Sequence, residues 1–399
     1  MMRLTESSKI CSSLKQAKIK LTSYLSIAHV KLYMMRLLLI TYELPPLGGG
    51  TAVACQNLLQ EFAKEKNLKI DVVTASPDQD KKETLAKNII VHRLSVGKRG
   101  RNLHHQSGLN LLRFLIRSYL WAWPHRRNYD LVHAFGGLPA GLTAWALGRQ
   151  YLISLRGGEE PGYETRYDFW LKLAKPFLSL VYRRAKSLDA NSRYLKRLVL
   201  KSFPGLPIKV IRNGVDQSRF YPAKKLPTKP VILSTSRLGQ RKGVEDLIAA
   251  MPKVLAAVPD ARLVLIGGGQ LEGKIRQLVK KLKLTRAVKS FGPVEHKNLP
   301  SLYRRAKIFV LPSLTESQSN SLLEAQASGL PVVVTRVGGN PETVNQDNGI
   351  LVPVGDSKAL AEAIVKALNR PRLNLLLQNK YSWEKTANEY LKIYNKVYQ

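Results

Sequence analysis

Ile308-Phe309-Val310-Leu311-Pro312-Ser313-Leu314-Thr315-Glu316-Ser317-Gln318-Ser319-Asn320-Ser321-Leu322-Leu323-Glu324-Ala325 passes from an apolar run to a polar loop and then to a helical pattern that closes at Ser328-Gly329-Leu330-Pro331. Four consecutive apolar residues suit a strand covered on both faces. The loop then lies at the strand's carboxyl end, and the following helix turns its N-terminus to the same place. Unpaired N–H groups and the positive end of the helix dipole make that a natural diphosphate site. Glu316, in the loop, is placed to reach sugar hydroxyls, and Glu324, one turn into the helix, to accept from a ribose. A structural reading of Glu324 stands beside this one, in which Ser321 is the N-cap and Glu324 the N3 residue of a capping box. That reading leaves Glu316 and the polar loop without a reason.

Outward from this stretch the same alternation recurs in both directions. Strand patterns fall at 36–41, 69–74, 88–93, 130–134, 150–155 and 208–212, then at 231–234, 261–266, 287–291, 306–311, 331–334 and 349–352. Helical patterns lie between them at 51–66, 109–123, 138–149, 167–184 and 192–202, then at 243–256, 271–282, 297–305, 321–328 and 356–369. Such alternation predicts an α/β protein with two doubly wound parallel-sheet, Rossmann-like domains. A chain of 399 residues has room for both. The Pro- and Lys-rich stretch 222–230 reads as the linker. The expected division is a basic extension at 1–33, a first domain at 34–210 and a second at 211–379, with a final helix in 380–399 returning to the first domain. Met34 and Met35 stand directly before the first strand, so the extension reads as a basic tail or a misplaced start. The carboxyl ends of both sheets then face a shared cleft.

Three further clusters sit at strand ends. Ser236-Arg237-Leu238-Gly239-Gln240-Arg241-Lys242-Gly243 follows a strand and precedes a helix, and Arg237 and Lys242 can neutralise a leaving diphosphate in place of a metal ion. Gly48-Gly49-Gly50 joins the first strand to its helix, and Gly49 and Gly50 let a ligand approach the backbone. His133, in Asp130-Leu131-Val132-His133-Ala134-Phe135, is placed at a strand end facing the cleft, although a lone histidine is more often a structural residue. No H-E-x-x-H, C-x-x-C, Walker A, G-x-S-x-G or G-x-G-x-x-G pattern occurs, which argues against a metal site and against nicotinamide chemistry. The two cysteines, Cys11 and Cys55, form no disulfide framework.

Taken in order, these elements resemble the retaining glycosyltransferases of family 4, the group 1 enzymes with the GT-B fold. Glu316 and Glu324 match that family's E-x7-E element, and Arg237 and Lys242 its diphosphate-binding pair. Asn213-Gly214-Val215-Asp216, Gly338-Gly339-Asn340-Pro341-Glu342 and Ser382-Trp383-Glu384 fit as well, so the resemblance covers residues 35–399. It implies an enzyme that moves a hexose from a UDP- or GDP-type nucleotide sugar to a glycan or lipid-linked acceptor, as in cell-envelope polysaccharide or glycolipid synthesis. Retention of configuration, no metal and no resident cofactor follow from the same resemblance. By that resemblance 34–210 would be the acceptor-side domain and 211–379 the nucleotide-sugar domain. Glu324 would hold the ribose and Glu316 the transferred sugar. Arg237 and Lys242, with the amides near Ser319 and Asn320, would hold the diphosphate, and Gly49 and Gly50 would touch the donor from the first domain. The pattern is broken in two places. Many relatives carry histidine where this chain has Phe135, and His-Gly where it has Arg156-Gly157-Gly158-Glu159-Glu160. Arg156 and Glu159, with His133, therefore stand as acceptor-side candidates.

The net charge of +36 attracts polyanions without choosing among them. In residues 97–129 there are seven Lys and Arg and no Asp or Glu, while Leu109, Leu112, Ile116, Leu120 and Trp123 recur at helical spacing. A helix packed on its sheet and a helix lying on an anionic membrane both fit that pattern. The second reading places the protein in the cytoplasm, peripheral at the inner face of the membrane. Two rival functions remain to be weighed. A nucleotide-sugar epimerase or phosphorylase on the same fold is disfavoured by the ordered glutamate and cation set. A nucleic-acid-binding protein is permitted by charge alone, yet the cations are spread along the chain and no recognised nucleic-acid module is present, so no specific nucleic acid is expected.

Overall fold

The computed structural model describes residues 34–97, 107–157, 172–225, 227–369 and 381–398. The first sheet contains β1 (Met35–Ile40), β2 (Leu68–Ser76), β3 (Lys81–Ala86), β4 (Ile89–Ser95), β5 (Leu131–Phe135), β6 (Tyr151–Leu155), β7 (Ser187–Ala190) and β8 (Ile208–Val210), in the order β3-β4-β2-β1-β5-β6-β7-β8. Every pairing is parallel except the β3–β4 hairpin. All residues of β5 and β6 are buried, as strands covered on both faces should be. Between the strands run α1 (Gly50–Phe62), α2 (Gly108–His125), α3 (Ala140–Ala146), α4 (Lys175–Arg184) and α5 (Arg193–Ser202).

The second sheet is wholly parallel: β9 (Val231–Thr235), β10 (Arg262–Ile266), β11 (Val288–Ser290), β12 (Ile308–Leu311), β13 (Val332–Thr335) and β14 (Gly349–Val352), in the order β11-β10-β9-β12-β13-β14. Its helices are α6 (Val244–Ala257), α7 (Glu272–Lys281), α8 (Leu299–Arg305), α9 (Asn320–Ala327) and α10 (Ser357–Leu368). The last helix, α11 (Trp383–Tyr398), packs on α1 of the first sheet rather than on the second. Trp383, Tyr390 and Tyr394 share a core with Leu37, Leu39 and Phe62. Between β8 and β9, Val215 bridges to Ser382, while Phe220 lies in the core of the second sheet.

Two strands carry no strand signal in the sequence. β3 reads Lys-Lys-Glu-Thr-Leu-Ala, with no buried residue, because it is the edge of its sheet. β7 reads Ser-Leu-Asp-Ala, and its Asp189 is buried by virtue of partners far away in the chain. The expected extension at 1–33, the first part of the expected helix 167–184, and Glu159 lie outside the described residues. Among the described residues, no helix is long and apolar enough to cross a membrane.

Candidate active site

β9 and β12 are neighbours in the second sheet, and the loops at their carboxyl ends meet. After β9 the chain makes a single turn at Gln240–Lys242 and enters α6 through Gly243, whose φ of +58° is left-handed. A Cβ there would collide with the Pro312 carbonyl, so only glycine lets the two loops touch. This contact brings the Lys242 ammonium onto the Glu316 carboxylate, to which it donates a hydrogen bond. Ser313 Oγ donates to the same oxygen at 3.1 Å. Behind Glu316 lies the Gly338-Gly339 turn. The Gly339 amide donates to the Glu316 carbonyl at 3.1 Å, and a Cβ on Gly338 would strike that carbonyl.

α9 begins at Asn320, and its N-cap is Ser319, whose hydroxyl accepts from the Leu322 amide at 3.3 Å. The alternative reading of Ser321 and Glu324 as a capping box does not hold. Ser321 is already inside the helix, and Glu324 lies two residues beyond the N3 position from which a side chain reaches back to the cap. The Glu324 carboxylate instead accepts from His296 Nε2 at 2.7 Å and from Tyr303 OH at 3.1 Å. Its role at the helix end is vacated, and its oxygens border the cleft.

That cleft has a volume of about 270 Å³. From the second sheet it is lined by Arg237, Lys242, His296, Glu316, Ser319 and Glu324, among others, and from the first by Gly50 and Val53 of α1. The two sides touch. Asn320 Nδ2 donates to the Gly50 carbonyl at 3.0 Å, and a Cβ on Gly49 would come within 3.0 Å of Arg237 Nε. Six of the residues singled out in the sequence therefore line one cavity together with Gly50, and Gly49 abuts it. A smaller adjoining cavity of about 100 Å³ shares Gly50, Arg237, Lys242, Glu316 and Gln318 and adds Arg156, Arg241, Asn191 and Asn213. Among the described residues, no group of three His, Cys, Asp or Glu side chains is placed to hold a metal ion.

His133 is not in either cavity, which corrects its placement at the cleft. It is wholly buried within β5, with its ring between Tyr394 OH on Nδ1 and Ser154 Oγ on Nε2, each at 2.7 Å. Ser154 donates its proton to Asp189 at 2.7 Å, so Nε2 carries the hydrogen and Nδ1 accepts from Tyr394. That is the neutral imidazole, and burial, aided by the Arg156 charge, pulls its pKa down to about 3. Arg156 does reach the smaller cavity. Its guanidinium donates to Tyr390 OH and to Asn213 Oδ1 (3.1 Å), pairs with Asp189 at 3.5 Å, and lies 4.4 Å from the centre of the Phe135 ring. The two breaks in the family pattern, at 135 and 156, are thus one cation–π contact. Burial raises the Asp189 pKa, partly offset by Arg156.

Sequence reading missed His296, Tyr303, Asn191 and Gln318. His296 follows β11 at the carboxyl end of the sheet, and that position was the available signal. Tyr303 reads as an ordinary core aromatic of α8.

Two parallel-sheet units meeting at a cleft lined by cations, amides and glutamates define a sugar-nucleotide transferase of the GT-B class. The family description "Glycosyl transferases group 1" matches residues 217–383, and "Glycosyltransferase Family 4" matches residues 48–219. The chain belongs to this family: it is a glycosyltransferase that uses a nucleotide sugar. It is 31% identical over 283 residues to a glycogen synthase of Mycobacterium tuberculosis, covering 66% of this chain and 68% of that one. It is 29% identical over 357 residues to a GDP-mannose-dependent monoacylated α-(1-6)-phosphatidylinositol monomannoside mannosyltransferase of Corynebacterium glutamicum, covering 84% of this chain and 89% of the relative. Among solved structures, the sucrose-phosphate synthase of Thermosynechococcus elongatus superposes with a TM-score of 0.75 at 22% identity, covering 91% of this chain and 99% of that one. The Anabaena protein HepE, in complex with UDP and glucose, gives 0.71 at 19% identity, over 90% and 99%. Both share the GT-B fold.

Proposed function

We propose that this enzyme transfers a hexose from a UDP- or GDP-type sugar, with retention and without a metal ion, to a glycan or lipid-linked acceptor of envelope polysaccharide or glycolipid synthesis. One observation carries the reading: Arg237 and Lys242 stand in the cleft beside Glu316, where a sugar diphosphate would span from α9 to Gly50. Two fixed cations there supply the charge stabilisation that a divalent ion supplies elsewhere. Glu324 takes the ribose and Glu316 the hydroxyls of the transferred sugar. The smaller cavity is walled largely by cations and amides, and the Glu316 carboxylate is engaged by Lys242. A reaction in which the leaving phosphate oxygen takes the acceptor's proton on the same face of the sugar suits that lining, and it retains configuration.

A membrane-borne acceptor is supported by α2. Leu109, Leu112, Ile116, Leu120 and Trp123 face outward, each 41–64% exposed, while Phe114, Ser118 and Ala122 form the buried face. Arg126 lies over the Trp123 ring at 3.7 Å. Leu173, Phe177 and Leu180, at and just before α4, are exposed too, and α3 packs against both α2 and α4. An apolar face edged by cations fits an anionic bilayer at the cytoplasmic side. The relative from Corynebacterium is itself named for a phosphatidylinositol-based acceptor.

The test is a thermal-shift screen of UDP- and GDP-sugars in EDTA, followed by proton NMR of the product formed from the stabilising donor. Stabilisation by one nucleotide class and an unchanged anomeric configuration are expected. An inverted product would overturn the retaining mechanism.

A further inference from the structure

The Glu324 carboxylate is held from both sides before any ligand arrives. His296 Nε2 donates to Oε1 at 2.7 Å, and Tyr303 OH donates to Oε2 at 3.1 Å. The donors come from different elements, the turn His296–Asn298 after β11 and the helix α8. Each is fixed by its own surroundings. Tyr303 is fully buried, with its ring edge-on to Phe220 at 5.6 Å, and Thr235 Oγ1 lies 2.6 Å from its hydroxyl. Burial and the neighbouring Glu324 charge hold the Tyr303 phenol well above its ordinary pKa, so it remains a proton donor. The His296 ring lies 5.5 Å from Phe220, and its carbonyl accepts from Arg219 at 3.0 Å. A carboxylate only accepts, so the hydrogen of His296 sits on Nε2.

We propose that His296 and Tyr303 are positioning residues that aim Glu324 at the donor's ribose hydroxyls and thereby set nucleotide affinity. This rests on Glu324 being the ribose-binding group. A carboxylate offers about four lone-pair sites, and the two donors occupy one on each oxygen. One site on each oxygen is left, a pair matched to a vicinal diol. Holding the side chain in advance removes the rotamer entropy that a free glutamate loses on binding. Neither donor caps α9, a task that Ser319 performs.

The test is calorimetric binding of UDP, GDP and their 2′-deoxy forms to the full chain and to His296→Ala, His296→Gln, Tyr303→Phe, Glu324→Gln and the double variant His296→Ala/Glu324→Gln. His296→Ala should weaken the preferred ribonucleotide about tenfold, the scale of one hydrogen bond to a charged group. The 2′-deoxy form should lose less. His296→Gln, which keeps an N–H donor, should recover most of the loss, and Tyr303→Phe should behave as His296→Ala does. In steady-state kinetics the donor KM should rise by more than kcat falls. In the Glu324→Gln background, His296→Ala should add less than about twofold, because the two residues act as one unit. Wild-type affinity in His296→Ala, with weakened binding in Glu324→Gln, would overturn the positioning role and leave the ribose assignment standing. Additive losses in the double variant would overturn it equally. Wild-type affinity in Glu324→Gln would overturn the ribose assignment itself.

Discussion

Glu316 and Glu324 are separated by seven residues and keep different company, and in the proposed function they divide the labour. Glu316 faces Lys242 and Ser313, whereas Glu324 faces His296 and Tyr303. Glu316→Gln should therefore slow turnover by about 10²-fold with little change in nucleotide affinity. Glu324→Gln should mainly weaken nucleotide binding, as titration calorimetry beside initial rates would separate. His133 gives a second prediction. Its pKa falls from 6.5 to about 3 on folding, so between those values the unfolded chain binds the extra proton. Stability from this group is complete above pH 6.5 and is lost as pH falls through the window. At pH 5.5 the loss is on the order of 1 kcal/mol. Denaturant titrations should show a flatter acid limb for His133→Gln than for wild type, and parallel limbs would contradict the burial account. The spacing of the site glutamates was legible because chain order alone put them on one loop and one helix. The orientation of His133 was not, because its partners Ser154 and Tyr394 come from distant segments.

α2 shows the same limit at the scale of an element. Its apolar stripe was readable at helical spacing, yet periodicity cannot say whether a stripe faces core or solvent. Here the face of Phe114, Ser118 and Ala122 packs inward, and the stripe of Leu109, Leu112, Ile116, Leu120 and Trp123 remains outside. Arg113 and Arg117, one turn apart on this helix, are both tied to the end of β4. Arg113 donates to the Val96 carbonyl, and Arg117 to the Ser95 carbonyl and to Asp80. Replacing them would disturb the end of β4, so Arg126 and Arg127 are the better probes. Leu112→Ser/Ile116→Ser/Leu120→Ser and Arg126→Glu/Arg127→Glu should each cut sedimentation with anionic vesicles at least about fivefold, with wild-type binding released as salt rises. Neutral vesicles should bind weakly. A wild type that ignores anionic vesicles at low salt would point to a soluble acceptor. β3 and β7 escaped for complementary reasons. An edge strand needs no apolar face, and β7 buries a charge that only Arg156, Ser154 and Tyr390 make tolerable.

Across the whole molecule, alternation of strand and helix was enough to give two largely parallel sheets, because most strands buried on both faces, β7 excepted, leave an apolar run. How the halves meet was not legible. Glu342, quoted only as part of a motif, reaches from the second half to the start of α5, accepting from the Arg193 and Tyr194 amides at 3.0 and 2.7 Å. It also pairs with Arg212 at 3.4 Å. Glu342→Ala should cost about 1–2 kcal/mol in chemical denaturation, the scale of a lost helix cap. In the proposed function Arg237 and Lys242 hold the donor's diphosphate, and that assignment is the centre of the account. It is tested most directly by initial rates of sugar transfer from the stabilising nucleotide sugar, in EDTA, for wild type and Lys242→Ala. Full wild-type activity in the chelator and a loss of about 10²–10³-fold in Lys242→Ala are expected. Activity that vanishes with EDTA and returns with Mg²⁺, or a Lys242→Ala variant as fast as wild type, would contradict it.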